Sequence, residues 1–147
     1  MNLFKAFDIS ASGMTAQRLR MDLISENMAN INTTRTAAGG PYRRKVAIFE
    51  TREPEKGFSD VFSQTLARQQ LGNGVRVARI EEDSSPFKPV YDPNHPDANE
   101  AGYVSMPNVN IVTEMVNMIS ATRSYEANAT AIKASKDIAL RALEIGK

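Results

Sequence analysis

The sequence predicts a mainly α, elongated fold: a long helix at each end of the chain, the two paired as a coiled coil, with a small β-rich insertion and a short hairpin between them. Three observations carry this. From Asn110 to Ile145 there is neither glycine nor proline, and apolar residues recur at heptad spacing. Heptad series also run through the first helix-like segment, from Leu3 to Ile31. Between the two, short β-prone runs alternate with turn residues.

In the first segment Phe7, Met14, Met21 and Met28 recur every seven residues, and Ile24 and Ile31 follow three residues after the last two. Ile9, Ala16 and Leu23 form a second such series, turned roughly 200° from the first. A helix lying on one domain needs a single apolar stripe, so two stripes predict neighbours on both sides. Asn27, Asn30, Asn32, Thr33 and Thr34 mark the end of the helix before Gly39-Gly40-Pro41.

The middle differs in kind. Tyr42–Glu50 and Val75–Ile80 read as short strands, with Gly72-Asn73-Gly74 as a turn ahead of the second. Phe58–Leu71 fits a short helix, and Pro86, Pro89, Pro93 and Pro96 break up an acidic extended stretch. A hairpin of this size is marginal alone and must lean on the helices or on a neighbouring molecule.

The last segment has the clearest boundaries. Asn110 is a good N-cap, and Glu114 sits in the first turn, where the helix dipole favours an acid. Ile111, Met118, Tyr125, Ile132 and Ala139 repeat every seven residues; Met115, Ala129 and Leu143 come four residues after members of that series, and Val112, Ile119 and Leu140 widen the stripe. A helix of this length is on the order of 50 Å long, whereas a compact domain of this chain size is roughly 40 Å across. It does not fit inside such a globule, so the terminal helices are expected to lie side by side. The chain then divides into 1–36, an N-terminal helix; 37–106, a hairpin and extended segment; and 107–147, a C-terminal helix.

Composition narrows the function. The 147 residues carry 18 basic and 17 acidic side chains without a block of one sign, which gives no footprint for nucleic acid. No run approaches the roughly 18 apolar residues of a membrane span, and Met1–Asp8 lacks the basic and apolar regions of a cleaved signal. Without cysteine, disulfides, thiol catalysis and cysteine-held metal are excluded. Asp92, His95 and Asp97 form the one metal-like cluster, from which a small metal-dependent hydrolase could be built. Two prolines keep that segment extended, so Asx-type turn chemistry accounts for it better. Dispersed carboxylates and a single histidine give no acid–base pair, and no phosphate-cradling glycine loop is present. The residues predict no enzyme and no cofactor.

Assembly remains, because long helices with apolar character beyond one stripe leave hydrophobic surface uncovered in a monomer. Phe7, Met14, Met21, Ile24 and Met28 are the expected interface residues of the first helix. Those of the last are Ile111, Met115, Met118, Tyr125, Ile132 and Leu143. The competing assignment is that they only join the two helices within one subunit.

Ser10-Ala11-Ser12-Gly13-Met14-Thr15-Ala16-Gln17-Arg18, with Asn27-Met28-Ala29-Asn30-Ile31-Asn32-Thr33-Thr34, resembles the N-terminal signature of bacterial flagellar rod, hook and filament-type axial proteins. Gly102-Tyr103-Val104-Ser105-Met106-Pro107-Asn108-Val109-Asn110, continuing through Glu114-Met115-Val116 and Arg123-Ser124-Tyr125-Glu126-Ala127-Asn128, resembles the proximal-rod members of that family, as do Gly74-Val75-Arg76-Val77 and the stretches Tyr91–Pro93 and Asp97–Asn99. The resemblance covers nearly the whole chain. It departs at Glu53–Gln70, which is longer than in some relatives. There Phe58-Ser59-Asp60-Val61-Phe62 resembles the short signal that early flagellar substrates show to the export gate. The resemblance implies a structural subunit exported unfolded through the flagellar type III apparatus, without a cleaved signal, to a basal body outside the cytoplasmic membrane. Its partners would be itself, other rod subunits and membrane-ring or rod adaptor proteins. The rival reading is a non-polymerising coiled-coil adaptor of the export apparatus.

Overall fold

A computed structural model of the chain describes residues 3–52 and 72–145. In order these form α1 (Leu3–Ala29), β1 (Lys45–Thr51), β2 (Val75–Glu82), β3 (Lys88–Tyr91), β4 (Tyr103–Met106) and α2 (Ile111–Ile145). The helix expected at Phe58–Leu71, and the export-signal pattern within it, lie outside the described residues.

Both long helices are present, and α2 starts where its sequence puts the cap. The Asn110 side-chain oxygen accepts hydrogen bonds from the backbone N–H groups of Val112 and Thr113, at 2.9 and 3.3 Å. These are the donors that an N-terminal turn leaves without a helical partner. α1 and α2 lie against each other and run antiparallel. Gly13 sits beside Asn128, the Thr122 hydroxyl approaches the Met21 sulfur at 3.5 Å, and Asn27 meets Glu114.

The two stripes of α1 find their two neighbours inside the chain. Ile24 and Met21 turn toward α2, while Ala16 and Leu23, both buried, turn toward the first sheet. That sheet is an antiparallel pair, β1 with β2, in which a register shift between Ile48 and Phe49 leaves Ala78 as a bulged residue. Packing against α1 answers the marginal stability of a lone hairpin.

A second hairpin, β3 with β4, was not expected from sequence. Its pairs run from Lys88 with Met106 to Tyr91 with Tyr103, and the two tyrosine rings meet edge to face at 5.2 Å. The acidic, proline-punctuated stretch is therefore half strand and half turn: Pro89 lies within β3 itself, and Asp92–Gly102 form the connection. Proline is tolerated there because a two-stranded sheet leaves each strand an open edge.

The start of β2 is clamped to α1 through Ser12, whose hydroxyl donates to the Ile9 carbonyl at 2.7 Å and accepts from the Val75 N–H at 3.1 Å. Gly74 precedes it with φ of 94°, and a β-carbon there would lie 2.2 Å from the Ser12 oxygen. Gly74→Ala should therefore cost about 2 kcal/mol, from backbone strain together with the displaced hydroxyl. In thermal unfolding this is a fall in midpoint of roughly 5–10 °C. Gly40→Ala, at φ of 76° but facing open space, isolates the strain term and should fall by less.

Candidate assembly site: a polar junction and two outer faces

Where the helices meet the strands, the packing is polar rather than apolar. Asn27 is 1% exposed and Glu114 is fully buried. The Asn27 amide spends its whole hydrogen-bonding capacity: Nδ2 donates to the Lys45 carbonyl at 2.9 Å and to Glu114 Oε2 at 3.0 Å, and Oδ1 accepts from the Lys45 N–H at 2.9 Å and the Tyr42 hydroxyl at 3.0 Å. Toward Lys45 it acts as a strand would, pairing both backbone groups at the head of β1. Glu114 keeps its charge company through Arg44, whose Nη2 lies 2.8 Å and whose Nε lies 2.9 Å from Oε1. Arg44 also reaches Asp83 at 3.4 Å, and Lys45 pairs with Glu26 at 2.5 Å.

A second asparagine closes the junction from the other side. Asn108 accepts from the Arg44 N–H at 2.8 Å and donates to the carbonyls of Asp83 and Ser85, at 2.9 and 3.2 Å. Four separate parts of the chain (α1, the head of β1, the end of β2 and the start of α2) are thus held by groups that are costly to leave unpaired. The electrostatics agree with this packing. Burial, with the nearby Glu26, Glu114 and Glu82 charges, pushes the Tyr42 hydroxyl up to about 12, so it stays a donor. Asp83 is held below the usual carboxylate range, first by hydrogen bonds from Ser85 and then by Arg44.

Arg44 and Lys45 are thus both tied into the junction, and Glu114 does more than complement a helix dipole. Sequence reasoning missed the junction, although one signal was available. Glu114, Ala121, Asn128 and Ser135 are a heptad row lying three residues after the Ile111 series, and this polar and small row is among the covered positions of α2.

The expected interface residues fall into two groups. Ile24 is buried, Phe7, Met14, Met21 and Met28 are half-buried on α1, and Met118 and Ile132 are half-buried on α2 with Tyr125 at the border of exposure. Ile111, Met115 and Leu143 are 43%, 52% and 70% exposed. In the row four residues after the Ile111 series Met115, Ala129 and Leu143 point outward, and only Thr122 turns to α1; the row three residues after it points inward.

Two outer faces follow. On the first turns of α2, Ile111, Val112, Met115, Val116 and Ile119 form a continuous apolar ridge. On the far side of α1, a groove of about 430 Å³ runs between Asp8, Ser12, Thr15, Ala16 and Leu19 on the helix and Arg52, Val75 and Val77 beside it. Among the described residues no three histidine, cysteine or acidic side chains group closely enough to hold a metal. Asp92 Oδ1 instead accepts from the Asn94 N–H at 3.2 Å, His95 Nδ1 from the Asp97 N–H at 3.1 Å, and Asp97 Oδ2 from the Thr34 hydroxyl at 2.8 Å. No described helix is long and apolar enough to cross a membrane.

Comparison with known proteins gives the same kind of answer at both ends of the chain. A family model described as flagella basal body rod protein matches residues 7–35, and one described as flagellar basal body rod FlgEFG protein C-terminal matches residues 100–145. The flagellar basal-body rod protein FlgC of Borreliella burgdorferi is 50% identical, over 99% of this chain and 98% of that protein. That of Bacillus subtilis is 48% identical over the full length of both, and that of Escherichia coli O157:H7 is 37% identical, again over the full length of both.

Proposed function

The chain belongs to the family of flagellar basal-body rod proteins FlgC, and from that premise we propose how it works as a structural subunit of the rod. The observation that carries the reading is similarity over the entire chain, which takes in both long helices and the insertion between them. A non-polymerising adaptor of the export apparatus is not favoured, since relatives that match end to end are rod proteins.

The terminal segments, 1–36 and 107–147, form the subunit's core through α1 and α2, paired as an antiparallel coiled coil. The inward side of α2 supports this, because Glu114, Met118, Ala121, Asn128 and Ile132, with Tyr125 at the border of exposure, alternate steps of four and three residues. The middle segment, 37–106, is tied to that core by the polar junction and packs outside it. Polymerisation with itself and other rod subunits buries the outward apolar residues, among them Ile111, Met115 and Leu143, and builds the hollow shaft between membrane ring and hook. Half-buried residues such as Met14, Met21, Met118 and Ile132 serve first to seal the helix pair. The subunit reaches its place outside the cytoplasmic membrane through the flagellar type III apparatus. It acts by shape and packing and carries no catalytic step.

Deleting the gene tests the reading. Cells should lose swimming, and their envelopes should lack rods and hooks in the electron microscope. The intact gene should restore both, and a copy missing residues 108–147 should not. Normal basal bodies in the deletion strain would overturn it.

A further inference from the structure

We propose that the α2 ridge of one copy seats in the α1 groove of the next copy, in one particular register. This rests on the rod-subunit reading and deepens it. With 3.6 residues per turn, the ridge lies roughly 130° round α2 from the row that meets α1, and the groove row lies roughly 120° round α1 from the residues that meet α2. Each face is turned away from the other helix, so they cannot meet within one chain. Between copies they make a head-to-tail contact, which repeats without closing.

The register comes from spacing and charge. Reading α1 forward and α2 backward, Leu19 falls opposite Val112, Ala16 opposite Met115, Thr15 opposite Val116 and Ser12 opposite Ile119. Three small or short side chains of the groove, Ser12, Thr15 and Ala16, thus face the larger apolar Ile119, Val116 and Met115 of the ridge. Carried one turn further, the same register sets Asp8 opposite Arg123, and then Lys5 opposite Glu126. Two successive pairs of opposite sign, reversed in order along the helix, reject a shifted or flipped docking. None of these four residues is in an ion pair among the described residues. Within the chain, α1 and α2 pair Gly13 with Asn128 and Asn27 with Glu114. The intermolecular register is displaced from this by about ten residues, or roughly 15 Å along the axis. Neighbouring copies are therefore staggered, which is what a helical shaft requires.

The chain has no cysteine, so single-cysteine variants report the contact directly. Cells carrying both a Thr15→Cys copy and a Val116→Cys copy should, on mild oxidation, yield a disulfide-linked dimer of the two variants. Either variant alone, or Val116→Cys beside Arg18→Cys, should not. Swimming cells without that dimer, or with Val116→Cys linked instead to a different axial protein bearing a cysteine, overturn the docking and leave the rod assignment intact. The rod assignment fails on a different result, normal basal bodies after gene deletion. Should the cysteine variants themselves block swimming, charge reversal decides. Asp8→Arg should abolish swimming, and adding Arg123→Asp should restore it; failure of the second change to restore it overturns the proposal.

Discussion

Asn27→Asp, a change of one amide to a carboxylate with almost no change in volume, is expected to be the most damaging conservative substitution in the chain. Asn27 donates to the Lys45 carbonyl and to Glu114 with the same nitrogen. An oxygen in its place presents a lone pair to a carbonyl and a second negative charge to Glu114, about 3 Å away and fully buried. Breaking a buried, paired site of this kind costs about 3–5 kcal/mol. Typical domains have only about 5–15 kcal/mol to lose, so a large unfolded fraction should appear near neutral pH. The effect must depend on pH in a stated direction. Two adjacent carboxylates raise the folded-state pKa of one of them above its unfolded value. Stability is then greatest below the unfolded carboxyl pKa and is lost as pH rises through the raised one. Urea unfolding at about pH 4.5 and pH 7.5 should show Asn27→Asp recovering at the lower value, whereas Asn27→Ala, which adds no charge, should not. Adding Glu114→Gln returns a donor to the pair and should recover part of the loss. A double variant no more stable than Asn27→Asp would mean that the damage lies in the contacts to Lys45 and Tyr42 instead.

Legibility of the sequence depended on how far apart the interacting residues are. The start of α2 was readable because the Asn110 cap acts on the next three residues, and its length because the run that follows has no breakers. β1 and β2 were readable from β-prone runs and the Gly72-Asn73-Gly74 turn, although β1 begins at Lys45 rather than Tyr42. The second hairpin escaped because its strands are four residues each and one contains Pro89, which locally argues against a strand. The polar junction escaped for a deeper reason. Asn27 and Glu114 are 87 positions apart, and each has a sufficient local explanation, a helix-end residue in one case and a first-turn acid in the other. Only the antiparallel register of the helices brings them together. The choice between inward and outward rows on α2 was equally non-local. Residues three and four positions after the Ile111 series are both near it on the helix, and apolar character favoured the four-residue row. The structure covers the other, with its alanine, asparagine and serine, because small side chains let α1 approach closely.

That division of α2 yields a pair of aspartate substitutions, three residues apart, with opposite consequences for the subunit and the same consequence for the cell. Met115 is 52% exposed on the ridge, and Met118 is half-buried against α1. Met115→Asp leaves the charge in water, so the isolated chain should keep its unfolding midpoint to within the roughly 0.5 kcal/mol typical of surface changes. Swimming should nevertheless be lost, because assembly would carry a carboxylate out of water to a position facing Ala16, a cost of several kcal/mol at every copy. Met118→Asp places the carboxylate between the helices of a single subunit. It should lower stability by about 2–4 kcal/mol before any assembly is attempted, and Ile132→Asp should do the same one heptad pair further along. Thermal unfolding of the purified variants, beside swimming of cells that carry them, separates the two mechanisms. Loss of stability in Met115→Asp would mean that the ridge is covered within the chain. Normal swimming in that variant would mean that the ridge faces solvent in the finished rod, and the outward residues of α2 would then have no part in holding it together.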